Sequence, residues 1–227
     1  MRILEHPSPN FGPRRDGLRP SLVLLHHTAM ETAEAALDRL CDPEAEVSSH
    51  YLIARDGRVW RLVDEAERAW HAGLGRWKGL DDINSRSIGI ELANPASLKG
   101  FPPFPEVQMA ALEALLWEIL SRWGIPAEGV IGHSDIAPER KADPGPKFDW
   151  GRLALQGLAA PSVVSEAGTG GWNAFETRAA AAGYDVADNS AEAVLRAVRL
   201  RHRPWAEGKA PDAWDVGCLT QPGKGQD

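Results

Sequence analysis

Between Gly132 and Trp150 the chain sets His133, Lys141 and Asp143 among turn formers, with Pro144-Gly145-Pro146 stiffening the end of the segment. Proline holds its own φ and pushes the residue before it toward extended geometry, so Asp143 is a carboxylate on a restricted backbone. A stiff loop carrying an imidazole and a carboxylate suits metal ligation, because binding groups concentrate on loops mounted on a fixed scaffold. Two other places offer compatible chemistry. The apolar run Leu22-Val23-Leu24-Leu25 ends in His26-His27-Thr28, and Glu91 interrupts the apolar run Ser87-Ile88-Gly89-Ile90-Glu91-Leu92. A carboxylate in such a run needs a partner, since buried charge is paired, protonated or bound. His26 or His27, together with His133 and Asp143, makes two imidazoles and a carboxylate, the ligand set of a catalytic zinc that keeps its fourth position for water. Cys41 and Cys218 lie far apart with no CxxC spacing, so no thiolate site competes. Zinc acidifies water and polarises carbonyls; Glu91 is then the candidate base, and Lys141 the candidate stabiliser of a developing oxyanion. Seven histidines occur in all. Of the others, His6 and His202 read as structural or solvated and His50 as packing within a strand, while His71, beside Trp70 in a Gly-rich loop, is a candidate substrate contact.

These groups need elements to hold them. Residues 1–20, rich in Pro, Arg and Gly, read as an extended arm, and 22–25 as a strand buried on both faces that delivers polar residues at its end. Ala33, Ala36, Leu37, Leu40 and Cys41 recur at helical spacing, with Cys41 a buried thiol. The runs 49–54 and 59–63 flank Asp56-Gly57, a hairpin signal. After the strand 87–92 comes a helix from Pro105 to Trp123, with an apolar stripe of Leu112, Leu115, Leu116, Ile119, Leu120 and Trp123, and with Gly124 after its last turn. Val130-Ile131 is the last core strand, and 150–158 a closing helix. Strands interleaved with helices predict an α/β class. Composition then shifts to Ala, Ser, Gly and Thr over 159–171, which reads as a linker. In 172–227 one helix stops at Gly183 and a second opens with Asn189 and Glu192 as a capping box. A unit this small buries little and should lean on the first.

Composition excludes several classes of function. Hydrophobic residues make up 43% and charged residues 25%, values of a globular chain. A net charge of -7 and a pI near 5.5 argue against nucleic-acid binding, and the basic cluster Arg196 to Arg203 reads as a solvated helix face. No apolar run reaches membrane-spanning length. Pro7 and the charges around it interrupt the stretch where a signal peptide would need apolar residues, so the expectation is a cytoplasmic protein, or a periplasmic or extracellular one if a leader has been removed.

Several stretches together resemble, in order, the zinc-dependent N-acetylmuramoyl-L-alanine amidases of the type-2 amidase family, related to phage amidases and peptidoglycan recognition proteins. They are Leu24-Leu25-His26-His27-Thr28-Ala29, Ser49-His50-Tyr51-Leu52-Ile53 with Asp56-Gly57, Arg68-Ala69-Trp70-His71-Ala72-Gly73, Ser87 to Leu92, and Gly132 to Pro146. The resemblance covers about residues 20–155. It implies a mixed β-sheet flanked by helices, a catalytic domain over 1–158, a linker over 159–171 and a small helical, peptidoglycan-binding unit over 172–227. It also implies one zinc ion held by His26, rather than His27, with His133 and Asp143. Glu91 and Lys141 take the catalytic roles, and Trp70, His71 and Asn94 fall where relatives contact the muropeptide. Some relatives have a tyrosine near the metal where this chain has Ser49, which places more of the base role on Glu91. The implied reaction is hydrolysis of the amide between N-acetylmuramic acid and L-alanine in peptidoglycan or muropeptides. The alternative is a non-catalytic peptidoglycan-binding receptor, although such relatives generally lack one of the ligands retained here.

Overall fold

The computed structural model describes residues 2–161 and 170–219. The N-terminal arm contributes two short strands, β1 (Ile3–Glu5) and β2 (Phe11–Pro13). Next come β3 (Leu22–His27), α1 (Ala33–Cys41), β4 (Tyr51–Ile53), β5 (Val59–Arg61), β6 (Glu67–Ala69), the single-turn helix α2 (Ile83–Arg86) and β7 (Ser87–Leu92). The long helix α3 (Glu106–Trp123) precedes β8 (Val130–Gly132), α4 (His133–Ile136) and α5 (Trp150–Leu155). After residue 170 follow α6 (Trp172–Ala182), α7 (Ala191–His202) and α8 (Ala213–Cys218).

Six strands form a mixed sheet in the order β1-β5-β4-β7-β3-β8, and β2 pairs with β6 in a separate antiparallel ladder. Strands β4 and β5 are the antiparallel hairpin that Asp56-Gly57 signals; Gly57 turns at a φ of +86°. The neighbours β4-β7, β7-β3 and β3-β8 all run parallel. Their register sets Leu25 opposite Ile90 on one side and Gly132 on the other, and His26 opposite Glu91. The carboxyl ends of β3, β7 and β8 therefore finish side by side, the edge at which open α/β sheets bind ligands.

Strand alternation sorts side chains between two helical layers. Val23, Leu25, Ile88 and Ile90 pack with Leu112, Leu115, Leu116 and Ile119 of α3 and with Leu153 of α5. Leu22, Leu24 and Ile131 face the other way, onto Phe175 of α6, Val194 and Val198 of α7 and Val216 of α8. On that second face α1 covers Leu52 and Trp60. His26 and Glu91 have the parity of Leu24, so they emerge between α1 and the C-terminal helices, whereas His27 has the parity of Val23.

Local details depart from expectation for identifiable reasons. Ser190, not Asn189, caps α7: its Oγ accepts from Ala193 N–H, while the Asn189 amide donates to the Asp185 carbonyl. Cys41 ends α1 half-buried rather than enclosed. The cluster Arg196 to Arg203 is not a solvated face, because Arg199 and Arg203 pair with the buried Asp215 and Arg201 pairs with Asp135. Of the linker segment 159–171, Ala159 is buried in the first core layer, and 162–169 lie outside the described residues. Among the described residues no helix is long and apolar enough to cross a membrane.

Candidate metal centre and catalytic cleft

His26 closes the buried run of β3, and His133 is the first residue of α4, where β8 stops. Asp143 comes back on the following loop, which is tied down where its carbonyl accepts Ser134 N–H at 3.0 Å. His26 Nδ1 lies 2.9 Å from His133 Nδ1, and each is 3.0 Å from Asp143 Oδ2. All three residues are buried. His133 Nε2 donates to the Ala72 carbonyl at 2.9 Å, so in the neutral ring Nδ1 presents a lone pair. One proton can bridge one pair of these atoms but cannot serve three that converge on a common point, whereas a cation can. Two imidazole nitrogens and a carboxylate oxygen suit a divalent transition-metal ion, so the residues present fit such a group.

The electrostatics agree. Burial, and then His133, push His26 down to about 4 against the upward pull of Asp143, which keeps its ring neutral and available for ligation. Burial alone would raise Asp143, yet His133 and His26 hold its carboxyl well below the usual carboxylate range.

Glu91 opens onto the same cleft, of about 430 Å³, that His26, His133 and Asp143 line. Its Oε2 is buried without a hydrogen-bond partner among the described residues. Burial first, then the Asp143 carboxylate, push Glu91 up to about 8, while Lys141 pulls the other way. A carboxyl poised near neutrality can both take and return a proton. Lys141 and Trp70 also line the cleft.

His71 and Asn94 sit differently from the other sequence candidates. The His71 ring nitrogens face His26 Nε2 at 3.0 Å and Ser87 Oγ at 3.4 Å, and the residue also lines the cleft. Asn94 is buried, its Nδ2 donating to the Pro102 carbonyl and its Oδ1 accepting from Ala96 N–H, so its amide braces a loop. His27, of opposite parity on β3, lies edge-on to Phe101, and both border the cleft. Ser49, at the tyrosine position, donates to the Gly89 carbonyl at 2.8 Å and is fully buried. Sequence reasoning missed the Ala72 carbonyl, Asn84 and Gly89. Only Gly89 left a signal, since a glycine within a strand marks a close approach.

Residues 16–146 match the Amidase_2 family, N-acetylmuramoyl-L-alanine amidase. The chain is 43% identical over 154 residues to N-acetylmuramoyl-L-alanine amidase AmiD of Escherichia coli K12, a match covering 63% of this chain and 55% of that protein, so it spans little more than half of that relative. It is 36% identical over 177 residues to the 1,6-anhydro-N-acetylmuramyl-L-alanine amidase AmpD of Citrobacter freundii, covering 70% of this chain and 91% of that one. Among solved structures, AmiD from E. coli in complex with the substrate anhydro-N-acetylmuramic acid-L-Ala-D-gamma-Glu-L-Lys superposes with a TM-score of 0.79 at 32% identity, covering 91% of this chain and 89% of that one. With the family match extending over more than half of its length, this chain belongs to the N-acetylmuramoyl-L-alanine amidase family.

Proposed function

We propose that the protein hydrolyses the amide between N-acetylmuramic acid and L-alanine in peptidoglycan or muropeptides, with one zinc ion held by His26, His133 and Asp143. The observation that carries this reading is the convergence of three ligand atoms within 3.0 Å of one another, in a cleft that also holds Glu91, whose Oε2 has no hydrogen-bond partner among the described residues. When bound, zinc acidifies water and polarises a carbonyl. Glu91 accepts the proton of the attacking water as the new C–O bond forms. It then returns that proton to the alanine nitrogen as the C–N bond breaks, so the acid and amine products balance. The Lys141 ammonium, on the wall of the same cleft, favours the negative charge that gathers on the carbonyl oxygen. Trp70 offers an aromatic wall to the substrate.

The test is Glu91→Gln, a nearly isosteric change that removes the base. Zinc content should be unchanged while turnover of a soluble muropeptide falls on the order of 10²-fold or more, read by mass spectrometry of the released peptide. Wild-type turnover in that variant would remove Glu91 from the mechanism. Retention of muropeptide by the wild-type zinc protein without any cleavage would favour the receptor reading.

A further inference from the structure

The dipeptide His71-Ala72 reaches both histidine ligands from behind. The Ala72 carbonyl accepts the proton of His133 Nε2 at 2.9 Å, and His71 Nδ1 stands 3.0 Å from His26 Nε2. The direction of that second bond follows from the next one along. Ser87 donates its only hydroxyl proton to the Ile83 carbonyl at 2.6 Å, so toward His71 Nε2, 3.4 Å away, its oxygen can only accept. His71 then carries its proton on Nε2 and offers a lone pair at Nδ1, to which His26 donates from its own Nε2. That leaves the Nδ1 lone pair of His26 facing His133 and Asp143.

The dipeptide is itself pinned. Asn84 Oδ1 accepts both of its backbone N–H groups, from His71 at 3.0 Å and from Ala72 at 2.8 Å. The His71 ring lies flat against Gly89 of β7, where an added Cβ would come within 2.5 Å of the His71 Cγ. No side chain larger than hydrogen at 89 leaves the ring where it is.

From this arrangement we infer that His71 and the Ala72 carbonyl form a tautomer clamp, anchored by Asn84 and Gly89, that holds both imidazole ligands with Nδ1 free for the metal. The inference rests on the metal assignment proposed above. On this reading His71, although it borders the cleft, acts as a positioning residue through His26. Without an acceptor at Nε2, His26 distributes between its two neutral tautomers, and the Nδ1–H form must give up its proton position before ligating. Loss of such an outer partner weakens metal binding by about 10–100-fold.

The experiment measures zinc dissociation constants of the full chain by chelator competition and, after the ion is stripped, the imidazole nitrogen–proton correlations that identify each tautomer. In the wild type, His26 and His133 should both be Nε2–H. His71→Leu should weaken zinc by about 10–100-fold and give His26 mixed tautomers while leaving His133 unchanged. His71→Asn, whose Oδ1 restores an acceptor near the lost Nδ1, should recover most of the affinity. Gly89→Ala, which alters no ligand, should shift affinity in the same direction as His71→Leu. Circular dichroism melts identify any variant that fails to fold. The clamp is overturned by wild-type zinc affinity in His71→Leu, by an Nδ1–H tautomer of His26 in the wild type, or by a His71→Asn variant as weak as His71→Leu, which would mean simple packing. Unchanged zinc affinity with a raised KM would make His71 a substrate contact, ending the inference but leaving the metal site intact. A wild-type protein that fails to bind zinc would instead end the metal assignment itself.

Discussion

His50, His71, His26 and His133 stack edge to face in a row, with ring centroids 5.6, 5.2 and 4.5 Å apart in turn. Rings this close in a dry interior disfavour one another's charge, so the row depends on neutral imidazoles. His50 shows the consequence for stability. Its Nδ1 accepts Gly89 N–H at 2.9 Å, its Nε2 donates to the Glu67 carbonyl at 3.1 Å, and Arg14 lies alongside. Burial, and then the charge of Arg14, push it down to about 3. In the unfolded chain its pKa returns to ~6.5. The folded value is the lower one, so below ~6.5 the unfolded chain takes up a proton that the native protein refuses, and stability falls as pH drops toward the folded value. The slope for this one group approaches ~1.4 kcal/mol per pH unit. Urea unfolding of the metal-free protein at pH ~7 and ~5 should therefore show a smaller loss in His50→Asn than in wild type, by up to that slope per unit, whatever the variant costs at neutral pH. Equal acid losses would mean that His50 protonates normally in the native state.

Helix α4 has a single turn, too short to form alone, yet it carries His133. What holds it is Asp135. One carboxylate oxygen accepts Gly132 N–H at 2.8 Å and Arg201 at 3.2 Å, and the other accepts the Tyr184 hydroxyl at 2.7 Å. Arg201 also stacks over Trp150, 4.0 Å from the ring centroid. Tyr184 follows α6 and Arg201 sits on α7, so the C-terminal helices clamp the element that presents His133, a proposed metal ligand. Tyr184→Phe removes a hydrogen bond to a buried carboxylate and should cost about 1.5–3 kcal/mol. Zinc affinity should fall with it, because His133 is the neighbouring anchor on the same turn. Thermal melts and chelator competition on this variant check both; an unchanged melt would show that Arg201 holds α4 unaided.

The C-terminal helices also complete a core. Phe175 is fully buried, in one cluster with Leu22, Leu24 and Ile131 of the sheet and Ile136 of α4, while Trp205 stays 72% exposed and Trp172 and Trp214 are partly open. Two units that share a core should unfold as one, so calorimetry should record a single transition. Phe175→Ala should lower the stability of the whole chain by about 3–5 kcal/mol, as expected for emptying a buried aromatic site. A chain ending near residue 161 uncovers those apolar side chains of the sheet, and it should lose zinc binding and activity on soluble muropeptide together. A truncated protein that is soluble and fully active on that substrate would instead make 170–219 a separable targeting unit.

Much was legible in the residues alone, because local patterns report local physics. Leu22 to Leu25 marked a buried strand, Asp56-Gly57 a hairpin, the stripe on α3 its buried face, and the unpaired Glu91 a group in need of a partner. The sequence also marked His133 and Asp143 as a pair, since both lie on one stiff loop. Between His26 and His27 the residues alone were silent, for a strand buried on both faces has no polar side to consult. Only the register of β3 on β7 and β8 decided which ring shares a face with Glu91. The contacts of His71 were hidden for a similar reason: its partners, His26, Ser87 and Gly89, come from strands that meet only in the folded sheet, and a side chain's hydrogen-bond direction depends on neighbours that sequence spacing does not reveal.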